Sequence, residues 1–245
     1  MRAGSYDDFA WFYNRYWNEE FHSVAFPILE RIWLGSVPPG ARILDVCCGT
    51  GRLACLLSAR YRVTGIDASA AMVRYARENA PTAEFHVCDA TRFHLPGRFD
   101  AAVSTFDSLN HLLSREALEG AFRNIATALI PGGTLCFDVL SESAYQTRWT
   151  DSFSIVRDDH VLAFAGEGYD SETRMAHCEI TMFRRLHGVW RRRDAVIRER
   201  CHPRGEIDSA LRQAGFIAIR REEARDLGMT GRLGEGRAFF VAIKA

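Results

Sequence analysis

The sequence predicts an α/β fold, with a mostly parallel sheet, helices on both of its faces and an antiparallel β layer inserted late in the chain. Three observations predict it. Between residues 42 and 139, short apolar runs alternate with helical stretches, the pattern of strand–helix–strand units. The run Ile43–Ala54, ILDVCCGTGRLA, passes from a buried strand through a glycine turn straight into a helical pattern. From 153 to 200, strand-like runs are divided by turn residues alone, as in an antiparallel meander.

The 245 residues suffice for one large α/β domain, or a domain with an insertion. A hydrophobic share of 47% with 25% charged residues supports a full core. The net charge is zero, which argues against a nucleic-acid partner. Nearly all positive charge is arginine, Lys244 being the only lysine. The seven cysteines lack C-x-x-C spacing and read as reduced thiols of a cytoplasmic protein, with no metal site expected. The start, MRAGSYDDFA, is not read as a leader peptide. No apolar run approaches the ~18 residues of a membrane span.

In chain order, helices are expected over Tyr6–Trp17 and about Glu20–Ser36, the first crowded with aromatics. Pro27 should kink or break the second. Val37-Pro38-Pro39-Gly40 is a stop. Strand 42–46 leads to helix 51–60, and strand 62–66 to helix 69–79 with Ser69 as N-cap. Strands 83–88 and 99–105 follow, then helix 115–129, the stop Pro131-Gly132-Gly133 and strand 134–139. The insertion holds strands at 153–156, 161–164, 175–186 and 189–197. Helix 205–214, strand 216–222, a glycine-rich loop and strand 238–243 complete the chain. The last two strands lack a helix between them and should pair as an antiparallel hairpin at the sheet edge.

Gly49, Gly51 and Ala54 satisfy G-x-G-x-x-G/A, and Asp67 ends the next strand, as in dinucleotide sites. An NAD-dependent oxidoreductase would match that much. Asp45 inside the first strand shifts the balance, because an acid there suits a ligand with an ammonium group. Asp89 at the third strand end could accept from an adenine amine.

The ordered segments ILDVCCGTG, VTGIDAS, FHVCDA, FDAAVSTFDSLNHL, LIPGGTLCFDV and ALRQAGF resemble the class I S-adenosylmethionine-dependent methyltransferases across nearly all of 40–245. The resemblance implies a Rossmann-like seven-stranded methyltransferase sheet and S-adenosylmethionine as cofactor. Its division would be an N-terminal helical lid (1–40), a cofactor-binding core (41–140), a β insertion covering the active site (141–203) and the end of the core (204–245). Cys47 stands where the family usually has glycine, so a slightly altered turn with retained binding is expected. The chain is also similar to small-molecule members, the amino-sugar N,N-dimethyltransferases and glycine/sarcosine-type N-methyltransferases. That likeness rests on Tyr6-Asp7-Asp8-Phe9-Ala10 with Tyr13, on Phe106–Leu112, on the β insertion and, least diagnostically, on Gly236–Val241.

The roles implied are these. Cys48, Gly49 and Gly51 form the turn that approaches the cofactor's methionine part, with Asp45 behind it. Asp67 accepts from the ribose hydroxyls. Ala68 and Met72 wall the adenine, Asp89 takes its amine, and Ala90 beside it is a further cofactor-binding residue. Phe106 marks where the methyl group points. His111, which the resembled amino-sugar enzymes also place here, would take or orient the acceptor's proton. Tyr13 would cover the sulfonium or meet the acceptor, and Trp17 is a weaker candidate. Tyr145, Gln146, Arg148 and Trp149 are a natural substrate wall. Arg184-Arg185 and Arg191-Arg192-Arg193 read as a solvated face of antiparallel strands.

The reading is a methyltransferase acting on nitrogen or oxygen of a small metabolite, with no nucleic-acid or membrane partner and homodimerisation left open. A nucleic-acid methyltransferase acting on base amines would carry prolines in the loop that reads Thr105-Phe106-Asp107-Ser108. A peptide or protein methyltransferase and a non-catalytic cofactor-binding module are the alternatives.

Overall fold

The computed structural model describes residues 4–17 and 20–245. It opens with α1 (Gly4–Tyr16) and α2 (Glu20–Ile32), then a short 3-10 turn at Leu34–Ser36. Pro27 does not break α2, which ends at Ile32 rather than Ser36. Phe21, Ala25, Ile28, Leu29 and Ile32 are buried on both sides of the proline. That packing outweighs the one hydrogen bond Pro27 cannot donate.

Next come β1 (Arg42–Val46), α3 (Arg52–Leu57), β2 (Arg62–Asp67), α4 (Ala70–Asn79), β3 (Glu84–Val87) and β4 (Phe99–Ser104). A 3-10 turn at Ser108–His111 leads to α5 (Arg115–Ala128) and β5 (Leu129–Leu140). β5 begins before Pro131, with an irregular register beside Phe99, so the proline–glycine stop lies inside a bulged strand start. After α6 (Glu142–Arg148) come β6 (Ser152–Val156), β7 (His160–Asp170), β8 (Met175–Leu186) and β9 (Val189–Arg200). The chain closes with α7 (Arg204–Gln213), β10 (Phe216–Glu223), α8 (Gly231–Gly234) and β11 (Arg237–Lys244).

Seven strands form one sheet in the order β10-β11-β5-β4-β1-β2-β3. β1 to β5 are parallel, and β11 is antiparallel to both its neighbours, β5 and β10. The expected antiparallel pair is present, with β11 slotted inward and β10 on the edge. The strand order reverses between β1 and β4, so a crevice opens at the C-terminal ends of those strands. Alternate strand residues fill the two faces. Ile43 and Val103 pack with α2, α3 and α4, while Leu44 and Ala102 pack with α5 and α7.

β6 to β9 form a separate antiparallel sheet. Two of its strands outrun the sequence expectation, β7 to Asp170 and β9 to Arg200. Glycines and charges blur the local signal there, but the ladder from Gly166–Asp170 to Met175–Cys178 holds the strand. Helix α1 bridges the two sheets, packing on α4 and on β9. Its Phe9 and Phe12 join Leu162, Cys178, Ile180, Met182 and Ile197 in one core, each buried ring contributing roughly 1.5–3 kcal/mol. Asp7 pins the start of α1 to α4, accepting from Ser69 Oγ at 2.6 Å and the Ala71 N–H at 3.0 Å, where the helix dipole favours a negative charge. No helix among the described residues is long and apolar enough to cross a membrane.

Candidate active site

The crevice is a cavity of about 680 Å³, a normal size for a ligand site. On one side it is lined by Gly49, Asp67, Ala68, Met72, Asp89 and Ala90 at the ends of β1, β2 and β3. It continues past Phe106 to His111 and to Cys178, Ile180, Ile197 and Glu199 of the second sheet. Tyr6, Phe9, Tyr13 and Trp17 cover it.

Asp67 stitches the glycine turn together. Its Oδ2 accepts the Gly49 N–H at 3.0 Å and its Oδ1 the Ser69 N–H at 2.9 Å. Burial raises its pKa against these two bonds. Ser69 itself caps α4, accepting from the Met72 N–H. At Asp89, partial burial pushes the carboxyl up, but hydrogen bonds from the Thr91 N–H (2.8 Å) and hydroxyl (2.7 Å) and the charge of Arg92 outweigh it and hold the pKa below the usual value.

Asp45 is 2% exposed, and its Oδ2 has no hydrogen-bond partner. Burial, then the charge of Asp67, raises its pKa to about 8. An orphaned acid behind a glycine turn lacks a donor, and an ammonium-bearing ligand would supply one.

The far side depends on a strained turn. Phe106 and Asp107, just after β4, have φ of +63° and +51°, a region that non-glycine residues occupy at a cost. Buried Asp138 of β5 holds them, accepting the Phe106 N–H at 2.7 Å and the Asp107 N–H at 3.0 Å. Arg237 of β11 closes the network. Its guanidinium bonds Asp138, Asp107 at 2.7 Å and the Leu233 carbonyl at 2.8 Å. The Phe106 ring stacks on Phe21 with centroids 4.4 Å apart.

His111 ends the 3-10 turn. Its Nδ1 lies 3.1 Å from the Arg198 carbonyl, which can only accept, so Nδ1 carries the hydrogen. Nε2 is then an acceptor, and the Tyr6 hydroxyl donates to it at 2.9 Å. Burial lowers the imidazole pKa against Asp107 and the Arg198 carbonyl, which keeps the ring neutral. Glu199 Oε1 lies 3.4 Å from Nε2, and Oε2 accepts from the Tyr145 hydroxyl at 2.8 Å. Among the described residues no group of three His, Cys, Asp or Glu side chains is placed to hold a metal.

A family model described as a methyltransferase domain matches residues 43–133. The chain is 30% identical over 196 residues to the putative methyltransferase YqeM of Bacillus subtilis (strain 168), spanning 75% of this chain and 77% of that one. It belongs to the S-adenosylmethionine-dependent methyltransferase family. A 99-residue stretch is 36% identical to the dTDP-3-amino-3,6-dideoxy-alpha-D-glucopyranose N,N-dimethyltransferase of Streptomyces fradiae, 40% of this chain and 39% of that one. The fold is shared with an S-adenosylmethionine-dependent methyltransferase from Clostridium acetobutylicum ATCC 824, at a TM-score of 0.80 and 18% identity, covering 98% of this chain and 99% of that one.

Of the residues the sequence singled out, Tyr13, Gly49, Asp67, Ala68, Met72, Asp89, Ala90, Phe106 and His111 line the methyltransferase's cavity, and Asp45, Cys48 and Gly51 do not. Cys48 is buried beneath the turn, its Sγ 3.0 Å from where a Cβ on Gly65 would stand. Gly51 serves helix packing, since a Cβ there would meet the Ala76 Cα of α4 at 2.8 Å. Trp149 lines the cavity, Tyr145 is buried and Gln146 is exposed. The Arg148 side chain lies outside the described residues. Arg191, Arg192 and Arg193 are exposed, as expected. Two arginines of that sheet dock α1 instead, Arg193 pairing with Asp8 at 3.3 Å and Arg184 lying 3.9 Å over the Trp11 ring.

Asp138, Arg237, Glu199 and the Tyr6–His111 bond were not foreseen. The available signal was an acid inside an apolar strand, as at Asp138 in TLCFDV.

Cys47 lines the cavity with φ +60°, so the turn keeps a left-handed residue without a glycine. That conformation costs an L-residue about 1–2 kcal/mol, while glycine forfeits about 0.5–1 kcal/mol of chain entropy. Cys47→Gly is therefore expected to hold or raise stability by up to about 1 kcal/mol, and β-branched Cys47→Val to lower it by more than about 1 kcal/mol. Urea denaturation checks both. A clear loss in the glycine variant would contradict this account of the turn.

Proposed function

We propose that this methyltransferase moves a methyl group from S-adenosylmethionine to a nitrogen or oxygen of a small metabolite, inside the cavity between its two sheets. The observation that carries the reading is the continuity of that cavity, from Gly49, Asp67 and Asp89 past Phe106 to His111. The residues fit the cofactor. Asp45, set behind the lining with its Oδ2 unbonded, would draw the ammonium group to the turn, Asp67 would meet the ribose hydroxyls and Asp89 the adenine amine, with Ala68, Met72 and Ala90 against the purine. Gly49 allows close backbone approach beneath Tyr13, whose ring lies 3.7 Å from where a Cβ would stand. S-adenosylmethionine supplies an electrophilic methyl group when bound, which leaves positioning, water exclusion and proton handling to the protein. Neutral His111 offers its Nε2 lone pair at the acceptor end, and α1 serves as the lid. The likeness to the Streptomyces fradiae amino-sugar N,N-dimethyltransferase supports a small-molecule acceptor.

Thermal unfolding with S-adenosylmethionine, S-adenosylhomocysteine and NAD tests the cofactor. The first two are expected to stabilise the protein by about 2.7 kcal/mol at a hundred times Kd. A shift with NAD alone would overturn the proposal. With an acceptor from a methyl-transfer screen, His111→Ala is expected to lower kcat by about 100-fold or more and leave cofactor affinity within about twofold of the parent. Equal kcat in variant and parent would remove His111 from the reaction.

A further inference from the structure

We infer that the methyl acceptor is a flat aromatic ring carrying its own nucleophile and no phosphate, and that an aromatic slot between the lid and the second sheet holds it. The inference rests on the methyl-transfer reading and names the acceptor's class.

The register of the second sheet builds the floor of the slot. Phe153 of β6, Phe164 of β7 and Ile180 of β8 are cross-strand neighbours, so their side chains share one face. All three line the cavity. The two phenyl rings stack, with centroids 5.1 Å apart and planes 15° apart. The adjoining row, Cys178 and Ile197, carries the floor towards His111, whose Nδ1 bonds the carbonyl of Arg198 next to Ile197. The lid supplies the other wall. Trp17 lies 6.1 Å from Phe153, and Phe9 lies 5.2 Å from Trp17. Trp149 closes the end, because the chain after α6 runs hard against β7: a Cβ on Gly166 would overlap the Trp149 carbonyl.

Phe153 is 45% exposed although it stands beside the cavity. An apolar face left open in a ligand cavity gains by being covered. Rings cover rings at centroid spacings of about 4.5–7 Å, edge-on or offset-stacked, the spacings these side chains already keep with one another. The charges argue against a nucleotide-linked acceptor. Among the described residues, the cations lining the cavity are Arg232 and Arg237. Asp151 holds the first, and Asp138 and Asp107 hold the second. A diphosphate would have to displace one of these carboxylates, and Glu20 adds a further negative group to the lining.

The protein loaded with S-adenosylhomocysteine is titrated calorimetrically with 2-naphthol, with its saturated counterpart decahydro-2-naphthol and with UDP-glucose. The two alcohols share a carbon skeleton and a hydroxyl, but only the first is flat and can stack. 2-Naphthol is expected to bind at least about tenfold tighter than either of the others. Phe153→Leu and Phe164→Leu keep an apolar side chain and remove the ring. Each is expected to weaken 2-naphthol by about threefold to tenfold and to leave S-adenosylhomocysteine within about twofold of the parent. Phe153 is half exposed on an edge strand, so its variant keeps the fold if the buried one does not. Equal binding of the two alcohols, binding of neither, tighter binding of UDP-glucose than of 2-naphthol, or a flat-ring preference undiminished in Phe153→Leu would each overturn the inference. Failure of the parent to bind S-adenosylhomocysteine would instead overturn the methyl-transfer reading beneath it.

Discussion

Arg237→Met is expected to lower the unfolding free energy by about 3–5 kcal/mol, the usual cost of stripping one partner from a buried ion pair. Arg237 is 1% exposed and bonds two carboxylates, Asp138 and Asp107. Methionine fills much of the same volume, so the loss is chiefly electrostatic. Asp138 would keep its two backbone donors, the N–H groups of Phe106 and Asp107, but without a counter-ion it would take up a proton and hold them less firmly. The left-handed turn would then relax, and Phe106 would leave its stack on Phe21. Cofactor affinity should fall along with stability, because Phe106 lines the cavity. Arg237→Lys should fall between variant and parent, since an ammonium keeps the charge but not the fork that reaches both carboxylates. Urea denaturation with and without S-adenosylhomocysteine checks the series. A loss below about 1 kcal/mol in Arg237→Met would mean that the network contributes no more than a surface pair.

This network also shows where reading the sequence stops. The strand–helix alternation was legible because periodicity and stop signals are local: Asp45, Asp67 and Asp89 stand out as acids at or near the ends of apolar runs. Arg237 and Asp138 are 99 residues apart, and Tyr6 and His111 are 105 apart. Nothing local announces such pairs, and only the insertion of β11 beside β5 brings the first one together. Cys48 and Gly51 show the opposite effect. They belong to a contiguous motif, yet in a tight turn neighbouring residues face different sides, so Gly49 meets the cavity while Gly51 meets α4. Glu199 was hidden because β9 reads as a polar strand whose inner face becomes evident only once α1 covers it.

Asp45→Asn is expected to weaken S-adenosylmethionine binding by about 10–100-fold, the range for a buried hydrogen bond to a charged group. Its effect on the cofactor-free protein should run the other way, with a sign set by pH. The folded-state pKa of Asp45 is about 8, against roughly 3.9 for an unfolded aspartate. A raised pKa means that the native state favours the protonated acid. The stability this supplies is complete below about pH 4 and is lost as pH rises through about 8. Asparagine cannot ionise, so the cofactor-free variant should exceed its parent in stability at pH 8 and not at pH 4. Cofactor binding reverses the balance, because an ammonium group beside Asp45 favours the carboxylate. Below about pH 8 the parent should therefore release a proton on binding and gain affinity as pH rises, while the variant does neither. Calorimetric titration in two buffers of different ionisation enthalpy measures that proton. If the variant matched its parent in affinity and in proton release, Asp45 would have no part in holding the cofactor, and the burial of its unbonded Oδ2 would need another cause.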